Sequence, residues 1–307
     1  MDAVLRFSPA LSDWVLHNLR QGCTPAQVVA AMHAQDMPPE AAKAIVDAFV
    51  FALRTGSPVP TDSVTVAPPY EHEASRLPPG TSIRTADRLV RVAARAAQPS
   101  LAVLNDVFSA EECEELIALA RPQLAPSTTV DPLTGRDRVG EQRSSLGMFF
   151  RLRENAFIAR LDERVSELMN LPVENGEGLQ VLHYPAGAQS LPHFDFLVPS
   201  NAANQASLER SGQRVSTLVG YLNEVEKGGE TVFPEAGWSV SPQRGSAVYF
   251  EYCNSLGQVD HASLHAGGLV VRGEKWVATK WMRQRRFVAA AEAPGPLTSA
   301  GVRYVST

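Results

Sequence analysis

The sequence predicts a mainly β protein of the α+β class, with a double-sheet jelly-roll core, supporting helices and a small N-terminal helical domain. Beyond Gly178, short apolar runs alternate with glycine-containing turns, a pattern typical of many short antiparallel strands. Two amphipathic helices precede these strands and can support one of the sheets. Residues 8–53 carry repeated helix start signals.

The chain divides into four predicted regions: a helical mini-domain (1–55), a Pro-rich linker (56–98), a large β-rich domain (99–288) and a C-terminal tail (289–307). The β-rich domain is the one that carries the site residues described below. In the first region, Thr24-Pro25-Ala26-Gln27 has the form of a capping box with Pro at the first helical position. We interpret this mini-domain either as a packing appendage or as a module that docks a partner or substrate. Residues 56–80 are rich in Pro, Ser and Thr, with few large apolar side chains.

The predicted β-rich domain opens with a strand at 101–107. Ser109 and Glu112 form a second capping box, and the helix that it opens ends before Pro122. A further helix is indicated by an apolar stripe at Phe157, Leu161, Val165 and Leu168. Strands are then predicted at 179–183, 215–222, 231–233, 238–240, 247–252, 269–271 and 276–282.

Composition excludes several function classes. The 307 residues carry a net charge of -5, which gives no electrostatic footprint for nucleic acid or an anionic membrane, and we expect the basic run 283–286 to be a solvated chain end. No apolar run approaches the ~18 residues of a membrane-spanning helix, and no signal peptide is evident. The three cysteines are far apart, so neither a disulfide framework nor a CxxC site is predicted. We therefore expect a cytoplasmic protein.

A metal site is predicted around His193 and Asp195. Side chains two positions apart on a strand point to the same face and can bind one ion. Two imidazoles and one carboxylate hold a divalent metal and leave positions open for other ligands, as in non-haem Fe(II) oxygenases. The second imidazole could come from His265 or His261. His265 is favoured because the small residues 266–268 follow it and allow backbone and cosubstrate to approach closely.

Lys275 begins the last predicted strand, on the face that also carries Val277, Thr279 and Trp281. A lysine among apolar residues is costly to bury unless it meets an anion. A dicarboxylate cosubstrate that chelates the metal would supply such an anion. The alternative is a lysine at a strand end whose ammonium reaches solvent.

Several segments together resemble one enzyme family. Residues 101–287 resemble the prolyl 4-hydroxylase catalytic domain of the 2-oxoglutarate- and Fe(II)-dependent dioxygenases, in the segments Arg143-Ser144-Ser145, Tyr184-Pro185-Ala186-Gly187, His193-Phe194-Asp195, 214–223, 228–234, 263–267, 273–276 and Trp281. The resemblance implies a double-stranded β-helix fold. It implies that His193, Asp195 and His265 bind iron, that Lys275 binds the distal carboxylate of 2-oxoglutarate, and that Tyr184 and Thr217 line the same pocket.

The resemblance also implies a reaction. Fe(II), 2-oxoglutarate and O2, with ascorbate as a further cofactor, would hydroxylate an amino-acid side chain and release succinate and CO2. The leading substrate is a prolyl residue of a peptide or protein, with small amino-acid-like molecules as alternatives. Candidate substrate residues are Arg143, Ser190 and Trp281. Ser190 stands where the family often has an aromatic residue, so the mouth of the site lacks that ring.

Arg143 follows the polar, turn-rich segment 128–142, which is typical either of a mobile lid or of an ordinary surface hairpin. Two other functions use part of the same pattern. A zinc hydrolase would use two imidazoles and a carboxylate but would leave Lys275 without a role. A non-catalytic metal- and 2-oxoglutarate-binding sensor would recruit a protein partner through the N-terminal helices.

Overall fold

The computed structural model describes residues 3–127, 129–130, 137–138 and 144–289. Its helices are α1 (Pro9–Arg20), α2 (Pro25–His33), α3 (Pro39–Thr55), α4 (Ala110–Ala120), α5 (Ala156–Met169) and α6 (Ala202–Ser211). Its strands are β1 (Ala3–Arg6), β2 (Ser63–Val66), β3 (Ser82–Arg84), β4 (Leu89–Ala97), β5 (Ser100–Asn105), β6 (Ala125–Pro126), β7 (Thr129–Val130), β8 (Asp137–Arg138), β9 (Leu146–Phe150), β10 (Leu179–Tyr184), β11 (Ser190–His193), β12 (Arg214–Tyr221), β13 (Lys227–Gly228), β14 (Thr231–Phe233), β15 (Trp238–Val240), β16 (Ala247–Glu251), β17 (His265–Gly267), β18 (Val270–Arg272) and β19 (Lys275–Arg283).

The first three helices begin where the sequence places their start signals. The Thr24 side chain accepts a hydrogen bond from the backbone of Gln27, whose side chain accepts one from Thr24 in return. Proline occupies the first turn of each helix, where its missing N–H costs no hydrogen bond. The helices bury their own apolar cluster, which includes Val15, Val28 and Phe49, and β1 pairs antiparallel with β2 beside it.

The structure differs from the linker prediction for residues 56–98. This region contains β2, β3 and β4. Strand β4 pairs with β5 and β3 pairs with β4, so both strands extend the large sheet. The chain between β2 and β3 is also attached to the core, because Arg76 forms a 2.7 Å ion pair with the buried carboxylate of Glu251. The high proline content therefore does not mark a free linker here. The strands of this region could not be recognised from its composition alone, because β4 pairs with β5, which lies farther along the chain.

Two antiparallel sheets form the core, an arrangement consistent with the predicted jelly roll. The large sheet has the order β3-β4-β5-β16-β12-β19-β10-β9-β6, and the small sheet has the order β11-β17-β14-β15. Alternate residues of β19 face opposite sides. Lys280 on the outer side forms a 2.8 Å ion pair with Asp162 of α5, whereas Lys275 and Trp281 lie on the inner side with the site.

Two features of the second half were not predicted. Helix α6 lies among segments for which only strands and turns were expected. The sequence did not indicate a helix here because Ser211 is its only buried residue and it lacks an apolar stripe. Its start is marked by Asn201, whose side chain accepts a hydrogen bond from Asn204. The expectation of a solvated chain end was wrong for Arg283, which ends β19, is 1% exposed and bonds to Glu177.

The capping box at Ser109 and Glu112 is confirmed as the start of α4. The predicted tail (289–307) lies outside the described residues apart from Ala289. No helix in the described ranges is both long enough and apolar enough to cross a membrane.

Candidate active site

The candidate metal site begins at the end of an edge strand. His193 is the last residue of β11, and Asp195 lies in the turn that follows, so the expectation that one strand carries both residues was wrong. The turn nevertheless keeps the two side chains together, with Nε2 of His193 3.7 Å from Oδ1 of Asp195.

The neighbouring strand supplies the second imidazole. His265 begins β17 and is the register partner of His193 in β11, so the sheet places the two rings 4.4 Å apart between centroids. Nε2 of His265 lies 3.6 Å from Oδ2 of Asp195. One potential ligand atom from each residue lies within 4.8 Å of the others, and within the described ranges no other cluster of three His, Cys, Asp or Glu is as close. His261 lies outside this group.

Both histidines are held in the tautomer that suits a metal ligand. Nδ1 of His193 lies 2.8 Å from the carbonyl oxygen of Leu191, and Nδ1 of His265 lies 3.1 Å from that of Ser263. A carbonyl oxygen only accepts hydrogen bonds, so each Nδ1 carries the proton and donates. The Nε2 lone pairs then point toward Asp195, and the rings cannot rotate without losing these bonds.

The Asp195 carboxylate is buried but remains ionised. Burial alone would raise its pKa, but the neighbouring His265, His193 and Arg214, together with a hydrogen bond from Thr217, hold the pKa of Asp195 at about 2. The Thr217 hydroxyl donates to Oδ2 of Asp195 at 2.7 Å. The site therefore presents an anionic oxygen at neutral pH.

A buried tyrosine completes this hydrogen-bond chain. The Tyr252 hydroxyl lies 3.0 Å from Oγ1 of Thr217. Since the Thr217 proton already points to Asp195, Tyr252 must be the donor. Burial raises the pKa of Tyr252 well above its ordinary value, which keeps its hydroxyl protonated and able to donate.

Lys275 lies on the inner side of the large sheet and is 4% exposed. Its ammonium is 5.7 Å from the ring centroids of both Tyr184 and Tyr221, but it forms no hydrogen bond or ion pair with any described residue. Burial lowers the pKa of Lys275 to about 8, and Glu230 opposes this only in part. The amine is therefore mostly a cation at neutral pH, placed where an incoming anion would be its partner.

The candidate substrate residues fall in three environments. Trp281 is 6% exposed, and the Arg214 guanidinium lies 4.2 Å from its ring centroid. Ser190 is buried in β11 as the register partner of Gly267. Arg143 and most of the proposed lid (128–142) lie outside the described residues.

Arg214 and Glu177 are site residues to which the sequence had assigned no role. Two nitrogens of Arg214 bond to the two carboxylate oxygens of Glu177 at 2.7 and 2.8 Å, and a third lies 3.3 Å from the backbone oxygen of Asp195. This contact ties the Asp195 turn to the large sheet. The sequence did contain a signal for this pair. Arg214 stands at the start of an apolar strand, and an arginine buried there requires a buried anion as its partner.

Residues 179–283 match the 2OG-Fe(II) oxygenase superfamily, and this match, with the His-Asp-His cluster, defines the class of the protein. The chain is 38% identical over 204 residues to "Probable prolyl 4-hydroxylase 3" of Arabidopsis thaliana, a match that covers 60% of this chain and 69% of the relative. It is 42% identical over 202 residues to "Prolyl 4-hydroxylase 1" of the same plant, covering 61% and 70%. The chain belongs to the prolyl 4-hydroxylase family.

A solved structure of viral collagen prolyl hydroxylase from Paramecium Bursaria Chlorella virus-1, in its 2OG complex, is also similar, with a TM-score of 0.47 and 26% identity over 60% of this chain and 95% of that chain. Family membership confirms the resemblance stated from the sequence. The protein is thus a 2-oxoglutarate- and Fe(II)-dependent dioxygenase, and neither a zinc hydrolase nor a non-catalytic sensor is favoured.

Proposed function

We propose that this dioxygenase hydroxylates a prolyl residue of a peptide or protein, with Fe(II) held by His193, Asp195 and His265. The observation that carries the proposal is the combination of this cluster with the buried Lys275 ammonium, which has no hydrogen-bond or ion-pair partner among the described residues. A metal and a dicarboxylate together give every one of these groups a role. A zinc hydrolase would leave the cation unexplained.

The residues present fit Fe(II). Two imidazole nitrogens with fixed tautomers and one ionised carboxylate form the donor set that non-haem iron favours, and three protein ligands leave positions for 2-oxoglutarate and O2. When bound, the iron and 2-oxoglutarate supply the oxidation: the keto acid loses CO2 and becomes succinate, one oxygen atom enters it, and the other enters the substrate C–H bond. Ascorbate is proposed as a further cofactor.

The protein's own residues bind and orient these groups. Lys275 pairs with the distal carboxylate of 2-oxoglutarate, and Tyr184 and Tyr221 exclude water from that pair. Thr217 orients the Asp195 carboxylate through its 2.7 Å hydrogen bond and links it to Tyr252. The Nδ1 bonds of His193 and His265 hold both rings in position.

The names of the relatives support a prolyl substrate. Arg143 and Ser190 remain proposed substrate residues, and small amino-acid-like molecules are the alternative class. Trp281, on the same face of β19 as Lys275, remains a proposed substrate residue as well.

The remaining assignments are also proposals. We propose a cytoplasmic location, which the free thiols of Cys23, Cys113 and Cys253 support. The separate apolar cluster of α1–α3 supports a helical domain over 1–55, which would be the docking site for a protein partner. We propose that the catalytic domain begins at β3, earlier than the expected boundary of 99, because β3 and β4 belong to the large sheet.

Mass spectrometry tests the function. The protein is incubated with Fe(II), 2-oxoglutarate and ascorbate in the presence of proline-containing peptides or a cell extract, and one-oxygen gains on proline are measured together with succinate. Asp195→Ala should lose both products, whereas Asp13→Ala, at an exposed position of α1, should retain them. Iron-dependent succinate formation by Asp195→Ala would disprove the ligand assignment. Oxygen gains only on free amino acids would disprove the peptide substrate.

A further inference from the structure

The last N-terminal helix reaches the turn that carries Asp195. Most buried residues of α3, such as Ile45, Val46 and Phe49, belong to the apolar cluster of the N-terminal helices. Phe51, two residues after Phe49, packs instead against the core of the catalytic domain. Helix α3 therefore contributes to two cores.

Phe51 contacts the two residues that flank Asp195. Its ring centroid lies 6.0 Å from that of Phe194 and 6.4 Å from that of Phe196, and the Phe196 ring is nearly parallel to it. Phe194 and Phe196 stack on each other at 4.6 Å. On another side, Phe51 stacks on His261 at 4.8 Å with an interplanar angle of 9°. The H-x-D turn therefore packs against a residue from outside the catalytic domain.

On the side away from Phe51, Phe196 is connected to the metal site through Tyr252 and Thr217. Its ring lies 6.3 Å from that of Tyr252, whose hydroxyl donates to Thr217, and Thr217 donates to Asp195. A shift of Phe196 would thus act on Asp195 both through the backbone and through this hydrogen-bond chain.

The turn needs such support because β11 ends before it. Asp195 has no strand partner to fix its backbone; Arg214 contacts its carbonyl at 3.3 Å, and Gln213 accepts a hydrogen bond from the backbone of Leu197. These contacts hold the side of the turn toward β12. The Phe51 ring covers its aromatic side, and a 2.8 Å ion pair between Arg54 and Glu235 attaches α3 next to the end of β14.

We propose that Phe51 is a positioning residue for the metal site, which acts through Phe194 and Phe196 on the Asp195 carboxylate. The inference rests on the proposed function in one respect, that Asp195 binds the metal. It assigns the N-terminal helices a role in the chemistry of the catalytic domain, in addition to any partner that they bind. Removing the ring should allow the turn to move and weaken metal binding by roughly tenfold, the lower end of the effect of residues that orient metal ligands.

The test measures metal affinity directly on the full-length protein. Mn(II), which accepts the same kind of nitrogen and oxygen donors, is titrated into wild type, Phe51→Ala, Phe51→Tyr and Leu53→Ala by calorimetry, without 2-oxoglutarate or turnover. Leu53 is the matched control, because it is 41% exposed on the same helix. Thermal unfolding is recorded for each variant, and Phe51→Leu replaces Phe51→Ala if the latter does not fold.

We expect a Mn(II) Kd about tenfold higher for Phe51→Ala, a near wild-type Kd for Phe51→Tyr, which keeps the ring, and no change for Leu53→Ala. A lower unfolding temperature with an unchanged Kd would show that Phe51 only stabilises the fold, and it would overturn the inference. Wild-type protein that binds neither Mn(II) nor Fe(II) would overturn the proposed metal site itself, so the two failures can be distinguished.

Discussion

Replacing Lys275 by Met should have opposite effects on stability and on cosubstrate binding. Methionine keeps the length and the apolar part of the lysine side chain, so packing between Tyr184 and Tyr221 changes little. The charge is lost. In the ligand-free protein that charge is buried without an ion pair to any described residue, whereas with 2-oxoglutarate bound we propose that it forms one.

The pKa gives the size of the stability effect. Burial lowers the pKa of Lys275 from 10.5 to about 8. At about 1.4 kcal/mol per pKa unit, burying the cation costs the folded state about 3 kcal/mol, which Lys275→Met should recover at pH 7. For binding, removing one partner of a buried charge pair costs about 2–5 kcal/mol, equivalent to a Kd for 2-oxoglutarate that is about 30-fold to several thousand-fold higher.

The pH dependence provides a second check. Below pH 8 the lysine is protonated in both the folded and the unfolded chain, and the full cost is present. Between pH 8 and 10.5 the unfolded chain binds the proton more strongly than the folded one, so the stability of wild type rises with pH relative to the variant. The difference between the two proteins should therefore decrease through this window.

Urea unfolding of the ligand-free proteins at several pH values measures the first effect, and calorimetric titration of the metal-loaded proteins with 2-oxoglutarate measures the second. A Lys275→Met variant that is less stable than wild type at pH 7 would refute the account of an unpartnered buried cation. An unchanged Kd for 2-oxoglutarate would refute its role as the carboxylate partner.

Three further substitutions test neighbouring contacts. Lys280→Met should destabilise the protein by about 3–5 kcal/mol in urea unfolding, because the buried carboxylate of Asp162 loses its ion pair and keeps only the hydrogen bond from the Arg153 backbone; a stabilised variant would contradict this. Thr217→Val should raise the Kd for Mn(II) roughly tenfold in calorimetric titration, since Asp195 loses its 2.7 Å hydrogen bond, and an unchanged Kd would assign the hydroxyl no such role. Glu177→Gln should lower the urea midpoint by an amount equivalent to about 3 kcal/mol or more, because Arg214 and Arg283 lose their shared anion; equal midpoints would show that other groups compensate.

Local signals in the sequence predicted local structure well. Both capping boxes lie where their residues indicated, because a capping box is satisfied within four consecutive residues. Helix α6 was not predicted because it has no apolar stripe, which was the signal used to recognise helices in the sequence. Strand β4 was not predicted because it is stabilised by pairing with β5 and β3. The proline-rich composition of the region gives no sign of this pairing.

In the candidate site, too, the residue types were predictable from the sequence, whereas the contacts made on folding were not. The residue types at 193, 195, 265 and 275 predicted a metal and a dicarboxylate, because few other ligands suit two imidazoles, a carboxylate and a buried cation. The supporting contacts could not be predicted, since Phe51 and Thr217 meet the Asp195 turn only after the chain folds. The convergence of His193 and Asp195 was predicted for the wrong reason, because a turn and not a strand brings them together.

The site residues come from both sheets, and this has a consequence for measurement. His193 and His265 lie in β11 and β17 of the small sheet, whereas Thr217 and Lys275 lie in β12 and β19 of the large one. A metal chelated by a dicarboxylate would cross-link the two layers only in the folded state, so occupancy adds to the free energy of unfolding by mass action, about 2.7 kcal/mol at a ligand concentration 100 times its Kd. Melting curves can therefore rank metals, keto acids and inhibitors of this site before any substrate has been found.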